Sequence, residues 1–451
     1  MKLRKKYSTQ TFSKGGIHPL DYKLSNSKPI EVFRVPDYVQ ISLSQHIGVA
    51  ASPTVKVGDY VKVGTCIGES AGFISARVHS SVSGTVEKIE QIIDTSGLYR
   101  TAVCIKVTGD EWESHIDTST HVVTSLEYSA LHILEKITDA GVVGMGGATF
   151  PLHVKLTPPD TAKPHVLIIN AVECEPFLTS DQSLMLAKAE EICVGISLIQ
   201  KVLDVDAAMV GIEMNKPDAI ALFKQVAQQF NSIAIVPLQV KYPQGGEKQL
   251  IEALLQKEVP SGQLPISVGA VVVNVATAFS VYEAVQKNKP LIERVVTVTG
   301  LEIPNPSNFM VRIGTSIHEL FDAVGGIPQN TEKIISGGPM MGKALIHAQM
   351  PVAKGTSGVI AVPYELAHRN ESSNCIRCAR CISVCPMGLQ PYLLQVYAEQ
   401  GLYDALESNY VLDCIECGAC SYVCPASRPL LDYIRLGKNK VSHVIRKRKQ
   451  K

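Results

Sequence analysis

A cysteine run that occurs twice constrains this chain more than any other feature. The first copy is Cys375-x2-Cys378-x2-Cys381-x3-Cys385, closed by Pro386. The second is Cys414-x2-Cys417-x2-Cys420-x3-Cys424, closed by Pro425, 39 residues further on. Three cysteines separated by two residues wrap three corners of an iron–sulfur cube from one loop. The fourth opens the next helix, points away, and in two-cluster proteins ligates the other cube. The spacing therefore predicts two [4Fe–4S] clusters. One takes Cys375, Cys378, Cys381 and Cys424, the other Cys414, Cys417, Cys420 and Cys385. Structural zinc favours two separated cysteine pairs rather than four in one run. Two adjacent clusters imply a path for electrons.

These eight are most of the chain's 12 cysteines. The basic start, MKLRKKYSTQ, is followed by no apolar run, so no secretory signal is expected. No apolar stretch reaches the ~20 residues needed to cross a bilayer. A reducing compartment follows, where clustered thiols hold metal rather than form disulfides. Lys and Arg total 43 against 42 Asp and Glu, a balance that argues against a nucleic-acid binder.

The remaining chain has changing texture. Val55–Glu69 and Ala76–Ile89 alternate apolar and polar residues between glycine turns, which predicts β-hairpins of a flattened barrel-sandwich of the biotinyl/lipoyl sort. The turn placed at Ser83-Gly84 carries no lysine, so swinging-arm chemistry is not expected. From Leu126 helices alternate with short apolar runs. The strands are read at Val166–Asn170, Ala207–Glu213, Ile233–Val240 and Ala270–Asn274, and one helix spans Asp181 to Val202. This predicts an α/β layer with a largely parallel sheet. Residues 293–345 read as a compact β-α-β module. The last 14 residues hold seven Lys or Arg, with two readings: a solvated disordered tail, or a segment drawn to an anionic membrane.

Four polar loops lie at comparable ends of the predicted sheet, where open α/β sheets bind ligands. The loop Gly141–Lys155 is glycine-rich but is preceded by a helix, so it is not a Rossmann fingerprint. The others are Asn170–Pro176, Tyr242–Glu247 before a helix, and Asn274–Thr277.

Together these loops resemble the FMN- and NADH-binding loops of the flavoprotein subunit of respiratory complex I. Gly144, Gly146, Gly147, Phe150, Pro151 and Lys155 match its glycine loop. Asn170, Glu173, Glu175 and Pro176 match its acidic loop, with Val172 in place of an aspartate. Tyr242, Gly245 and Glu247 match a third motif, with Gly246 replacing a glutamate. Asn274, Val275 and Thr277 match the fourth. The resemblance implies non-covalent FMN and NAD(H) bound by Gly144, Gly146, Gly147, Phe150, Lys155, Asn170, Glu173, Glu175, Tyr242, Gly245, Glu247, Asn274 and Thr277. Cys174, between Glu173 and Glu175, is either a buried thiol or a flavin contact; Cys66, Cys104 and Cys193 read as buried thiols.

From Phe12 to about residue 436 the chain is similar to a narrower family, the C subunit of the Rnf (Rsx) electron-transport complex. Phe12-Ser13-Lys14-Gly15-Gly16-Ile17-His18-Pro19 and Leu43-Ser44-Gln45-His46-Ile47-Gly48 carry that likeness. It implies a multidomain α/β chain: a barrel-sandwich β domain (1–120), an FMN/NADH-binding α/β domain (121–292), a small β-grasp-like module of the SLBB type (293–362), a helical two-cluster ferredoxin domain (363–436) and a basic tail (437–451). It implies an NADH/ferredoxin:NAD+ oxidoreductase-type translocase subunit, held peripherally on the cytoplasmic face of a bacterial inner membrane by A, B, D, E and G partner subunits. The alternatives are a cobalamin reductase of bacterial microcompartments, which shares the domain plan, and a non-enzymatic iron–sulfur relay.

Overall fold

The computed structural model describes residues 10–449 except 27, 160, 161 and 231. The basic first residues and the last two lie outside them.

The N-terminal unit packs two antiparallel sheets face to face. One joins Tyr38–Ser42, Tyr99–Val107, Gly84–Ile93 and Tyr60–Val61; the other joins Ser52–Pro53, Cys66–Glu69 and Val78–His79. Their inner faces bury Val39, Ile41, Val61, Ile67, Val78, Val86, Val103 and Ile105. The hairpin turn lies at 94–98, where Asp94 accepts the Ser96 amide. Ser83-Gly84 instead opens the long strand. A Cβ at Gly84 would stand 2.1 Å from the Lys106 carbonyl oxygen, so only glycine lets these strands approach.

The second unit is a four-stranded parallel sheet in the order Ile233–Leu238, Ala208–Glu213, Val166–Asn170, Ala270–Asn274. Alternate residues serve opposite cores. Leu167, Ile169, Val271 and Val273 face the helices Ala189–Leu203 and Val275–Gln286. Ile168, Val272 and Ala270 face helix Glu247–Leu255 through Leu250, Ile251 and Leu254. A sheet covered on both faces explains why its strands read as unbroken apolar runs. The helix expected over Asp181–Val202 is two, Ser180–Ala187 and Ala189–Leu203, broken at Lys188.

The third unit exceeds the expected β-α-β module. Its six-stranded mixed sheet runs Ile30–Val32, Ser307–Arg312, Glu293–Thr299, Gly358–Pro363, Thr331–Ser336, Lys343–Ala344, with helix Ile317–Ala323 filling its core through Ile317, Leu320 and Phe321. Its edge strand, Ile30–Val32, comes from the stretch expected in the barrel, and pairs in parallel with 308–310.

The cysteine segment forms short helices around each third cysteine and two longer ones, Pro391–Glu399 and Leu430–Lys449. Within the described residues the basic segment is therefore no disordered tail: up to Lys449 it continues the last helix. Val441 is 1% exposed, Ile445 packs on the same core, and Arg448 pairs with Asp404 and Glu407. Apolar residues at helical spacing between the basic ones carried this signal. Among the described residues no helix is long and apolar enough to cross a membrane.

Candidate flavin and iron–sulfur site

Every loop singled out in the sequence follows a strand of the parallel sheet, or faces one, at its carboxyl edge. The glycine loop is closed by the Gly144 amide donating to the Phe150 carbonyl (2.9 Å). The buried Thr277 hydroxyl accepts the Met145 amide at 2.9 Å and anchors the loop to the sheet. Gly146 lies against Asn274, where a Cβ would meet the asparagine at 3.0 Å. Gly147, at φ +129, has open space beside it. Residues 146–148 are exposed. An exposed glycine loop of this kind suits phosphate or a flavin, which its backbone amides can meet.

Asn274 caps the helix after its strand by accepting the Ala276 amide and donates to Asp181 (2.8 Å). Asn170 donates to the Gly245 carbonyl at 2.8 Å, tying the acidic loop to the third. Lys155 donates to Glu247 (2.8 Å) and to the Val272 carbonyl (2.7 Å). Its charge is thus shared with a carboxylate at the start of helix Glu247–Leu255, whose N-terminal end faces the same space.

The acidic residues are already engaged. Glu173 accepts the Asp181 and Gln182 amides and so caps helix Ser180–Ala187. Glu175 accepts the Met340 and Met341 amides, reaching into the third unit, and burial pushes its carboxyl up to about 7. Burial, then the nearby Glu173, raises Asp181 as well. Cys174 is neither surface nor free: its sulfur accepts the Gly245 amide (3.3 Å), and burial drives its thiol upward. Tyr242 is fully buried and donates to the Cys417 carbonyl at 2.8 Å. Glu175 and Tyr242 therefore turn toward neighbouring units, while the other sequence-identified residues converge on one edge.

Two lysines at this edge carry no signal in the sequence. Lys23 donates to the carbonyls of Glu173, Glu175 and Leu178. Lys216, wholly buried, donates to the Val172 carbonyl at 2.7 Å. Between them they hold a loop whose Glu173 and Phe177 adopt left-handed backbone. Lys23 lies 150 residues or more from its partners, so no local pattern marks it.

The thiols fall into two groups. Cys385, Cys414, Cys417 and Cys420 line one cavity whose other walls are apolar, among them Leu389, Leu394, Leu431 and Ile434. Cys381 instead interacts electrostatically with Cys424 and Cys375. Each fourth cysteine thus lies with the other run. In both copies the residue two beyond the first cysteine and the residue directly after the second are left-handed: Arg377 and Ala379, then Glu416 and Gly418. The two runs thus share one backbone winding. As free thiols the buried Cys417 and Cys420 are pushed up to about 12, and among the described residues no cation lines their cavity. A soft cluster ligated by thiolates suits such a donor set. Among the described residues no three metal-binding side chains stand close enough for a single ion. The ligands of a cube sit further apart, at its corners.

The second cysteine loop packs against the sheet edge. Ile17, Tyr242, Cys417 and Ala419 form one buried cluster, with Cys174 and Met340 against it. The Gly16 amide donates to the Val384 carbonyl, and a Cβ on Gly15 would stand 2.6 Å from the Cys385 carbonyl carbon. The first loop faces outward: Cys375 and Cys378 are exposed, and Ile376 is 69% exposed.

The four units correspond to four family descriptions. Residues 11–110 match the RnfC barrel sandwich hybrid domain and 137–283 the Nuo51 FMN-binding domain. Residues 295–344 match the SLBB domain and 367–426 the 4Fe-4S dicluster domain. The chain is thus an iron–sulfur flavoprotein of the electron-transfer class. It is 45% identical, over 94% of its length and 92% of the relative's, to the C subunit of the proton-translocating ferredoxin:NAD(+) oxidoreductase complex of Clostridium ljungdahlii. It is 42% identical to the C subunit of the Na(+)-translocating ferredoxin:NAD(+) oxidoreductase complex of Acetobacterium woodii, over 95% of this chain and 96% of that one. The C subunit of the ion-translocating oxidoreductase complex of Rhodobacter capsulatus is 39% identical, over 96% and 84%. A solved NAD+-reducing [NiFe]-hydrogenase aligns with 70% of this chain and 64% of its own at 18% identity and a TM-score of 0.48. The chain belongs to the family of C subunits of Rnf-type ion-translocating ferredoxin:NAD(+) oxidoreductase complexes.

Proposed function

We propose that this chain is the NAD(H)-reacting subunit of a membrane-bound, ion-translocating ferredoxin:NAD(+) oxidoreductase. The observation that carries the reading is the packing of a cysteine cage against the ligand-binding edge of the parallel sheet, through Tyr242 and Cys417. A flavin mononucleotide bound at that edge supplies the exchange between a hydride's electron pair and single electrons.

The chain's own residues do the rest. Gly144, Gly146 and Gly147 leave room for backbone amides to approach phosphate. Asn170, Asn274 and Thr277 fix the positions of the loops. Lys155 and Glu247 set the charge at the helix start, and Phe150 offers an apolar surface beside the glycine loop. Glu175 and Tyr242 tie the acidic and third loops to the neighbouring units, while Glu173 caps helix Ser180–Ala187 and Gly245 accepts from Asn170, so these four shape the ligand site by placing its loops. Cys414, Cys417, Cys420 and Cys385 would hold the cluster nearer the flavin. Cys375, Cys378, Cys381 and Cys424 would hold the outer one, whose exposed loop suits transfer to a partner subunit. We read the unit boundaries near 120, 292 and 362, with ion movement left to membrane subunits (A, B, D, E and G in related complexes) and this chain peripheral on the cytoplasmic face.

The test is anaerobic purification followed by iron and flavin assay and NADH addition. About eight irons and one FMN, bleached by NADH, are expected. A protein without flavin that NADH does not bleach refutes the oxidoreductase reading.

A further inference from the structure

We infer that the barrel-sandwich unit supplies the wall on which the adenine of the dinucleotide rests, with Phe73 as its stacking surface. The inference rests on the reading that NAD(H) occupies the glycine loop.

Two loops of the barrel form a small apolar shelf. The Val49 amide donates to the Ile74 carbonyl (3.0 Å), and the Ser75 hydroxyl donates to the Val49 carbonyl (2.9 Å). At Gly48, φ +113, a Cβ would stand 2.0 Å from the Ile74 oxygen, so the loops meet backbone to backbone. The shelf leaves Phe73 70% exposed, Val49 55% and Ile47 52%. Three exposed apolar side chains on two joined loops offer a flat apolar ligand a surface to rest on.

What the patch contacts follows from where it is attached. The Ile47 amide donates to the Thr149 carbonyl (3.3 Å), on the arm of the glycine loop just before Phe150. The His153 ring nitrogen Nε2 meets the Phe73 carbonyl at 3.3 Å, in the helix directly after that arm. The shelf is therefore continuous with the exposed loop residues 146–148. A dinucleotide with its nicotinamide at the sheet edge and its phosphates on the loop would bring its adenine to this shelf if it runs along the arm that Ile47 and Phe73 bond. A purine has two flat apolar faces and gains from stacking on an aromatic ring. The Leu43–Gly48 signature thus has a role beyond the barrel: it seats Ile47 against the glycine loop.

The test uses the full chain with its cofactors and the substitution Phe73→Ala. Phe73 is exposed, so folding is untouched. ADP-ribose, which lacks nicotinamide, and reduced nicotinamide mononucleotide, which lacks adenine, separate the two ends of the ligand. Losing one base–aromatic stack should raise the ADP-ribose Kd, read by calorimetry, and the NADH KM about tenfold. Kinetics with the mononucleotide should not change, and Phe73→Tyr should restore wild-type values. The inference is overturned by an unchanged ADP-ribose Kd, by equal effects on NADH and the mononucleotide, or by loss of partner-subunit assembly with ADP-ribose binding intact. Wild-type protein that binds no ADP-ribose overturns the dinucleotide reading and this inference with it. Wild-type binding that Phe73→Ala leaves unaltered overturns this inference alone.

Discussion

Lys354 is a buried cation at the junction of three units, and its removal has a calculable signature. It is 1% exposed. Its ammonium donates to the Arg77 carbonyl of the barrel (2.8 Å) and to the Gly141 carbonyl at the root of the glycine loop (2.7 Å). His46 and His79 lie within its field, and the Cys66 thiol is the group that favours its charge. Burial pushes its pKa from 10.5 down to about 7. Between those values the unfolded chain binds the proton that the folded chain has released. Stability from this group therefore rises with pH through that window, and is lowest below pH 7. At ~1.36 kcal/mol per unit, the wild type should gain about 3 kcal/mol from Lys354 between pH 6 and pH 9. Lys354→Met keeps the length of the side chain and lacks the titration. Urea unfolding of both proteins at the two pH values measures the difference, in which titrating groups that do not interact with Lys354 cancel. Wild-type stability minus variant stability should increase by that amount from the lower pH to the higher. A difference that stays constant within ~0.5 kcal/mol would refute the buried-cation account. The same variant should release flavin more readily at pH 7, because the glycine loop loses its tie to the barrel.

Three further outcomes are expected. Cys385→Ser and Cys424→Ser should each lose about four of the irons. The irons left in Cys385→Ser should yield quickly to an aqueous chelator and those left in Cys424→Ser slowly, since Cys375 and Cys378 are exposed while Cys417 and Cys420 are buried; the opposite order would assign each fourth cysteine to its own run. Tyr242→Phe leaves the Cys417 carbonyl without its donor, at a cost of about 1–2 kcal/mol. Stopped-flow absorbance should show flavin reduction by NADH at the wild-type rate and cluster bleaching slowed, and equal slowing of both would contradict the placement. Glu175, raised to about 7, holds its proton in the folded chain where the unfolded chain has lost it, so stability falls as pH rises from about 4.5 to 7. Glu175→Gln should flatten that segment of the melting-temperature profile, and an unchanged slope would mean that Glu175 titrates normally.

The parts legible in the sequence were those whose cause is local. Thiol spacing carries its own geometry, because successive residues wind one loop around one cube. The parallel strands showed as short apolar runs because helices cover both faces of the sheet, with Leu167 turned to one core and Ile168 to the other. Pairing across long separations left little local trace. Ile30–Val32 alternates no more than a loop does, yet closes the edge of a sheet whose other strands begin at residue 293. Lys23 and Lys216 look like surface lysines until the carbonyls they serve are known.

The opening signature lies between these cases, and it says most about how the units are joined. Phe12 is buried with the Lys241 ammonium 4.0 Å above its ring, and the same ammonium donates to the Phe12 carbonyl. Ile17 pairs with Tyr242, and Gly15 and Gly16 lie against Val384 and Cys385. Two adjacent glycines with positive φ are what a chain needs to pass between a flavin-side loop and a cysteine loop without a side chain forcing them apart. Read locally, Gly15-Gly16 is a turn. In the fold it is a strap, and it fixes the spacing between the sheet edge and the nearer cysteine cage. Electron transfer depends on that distance. A side chain at Gly15 should therefore act on the flow of electrons between the two sites while leaving ligand binding at the glycine loop unaffected.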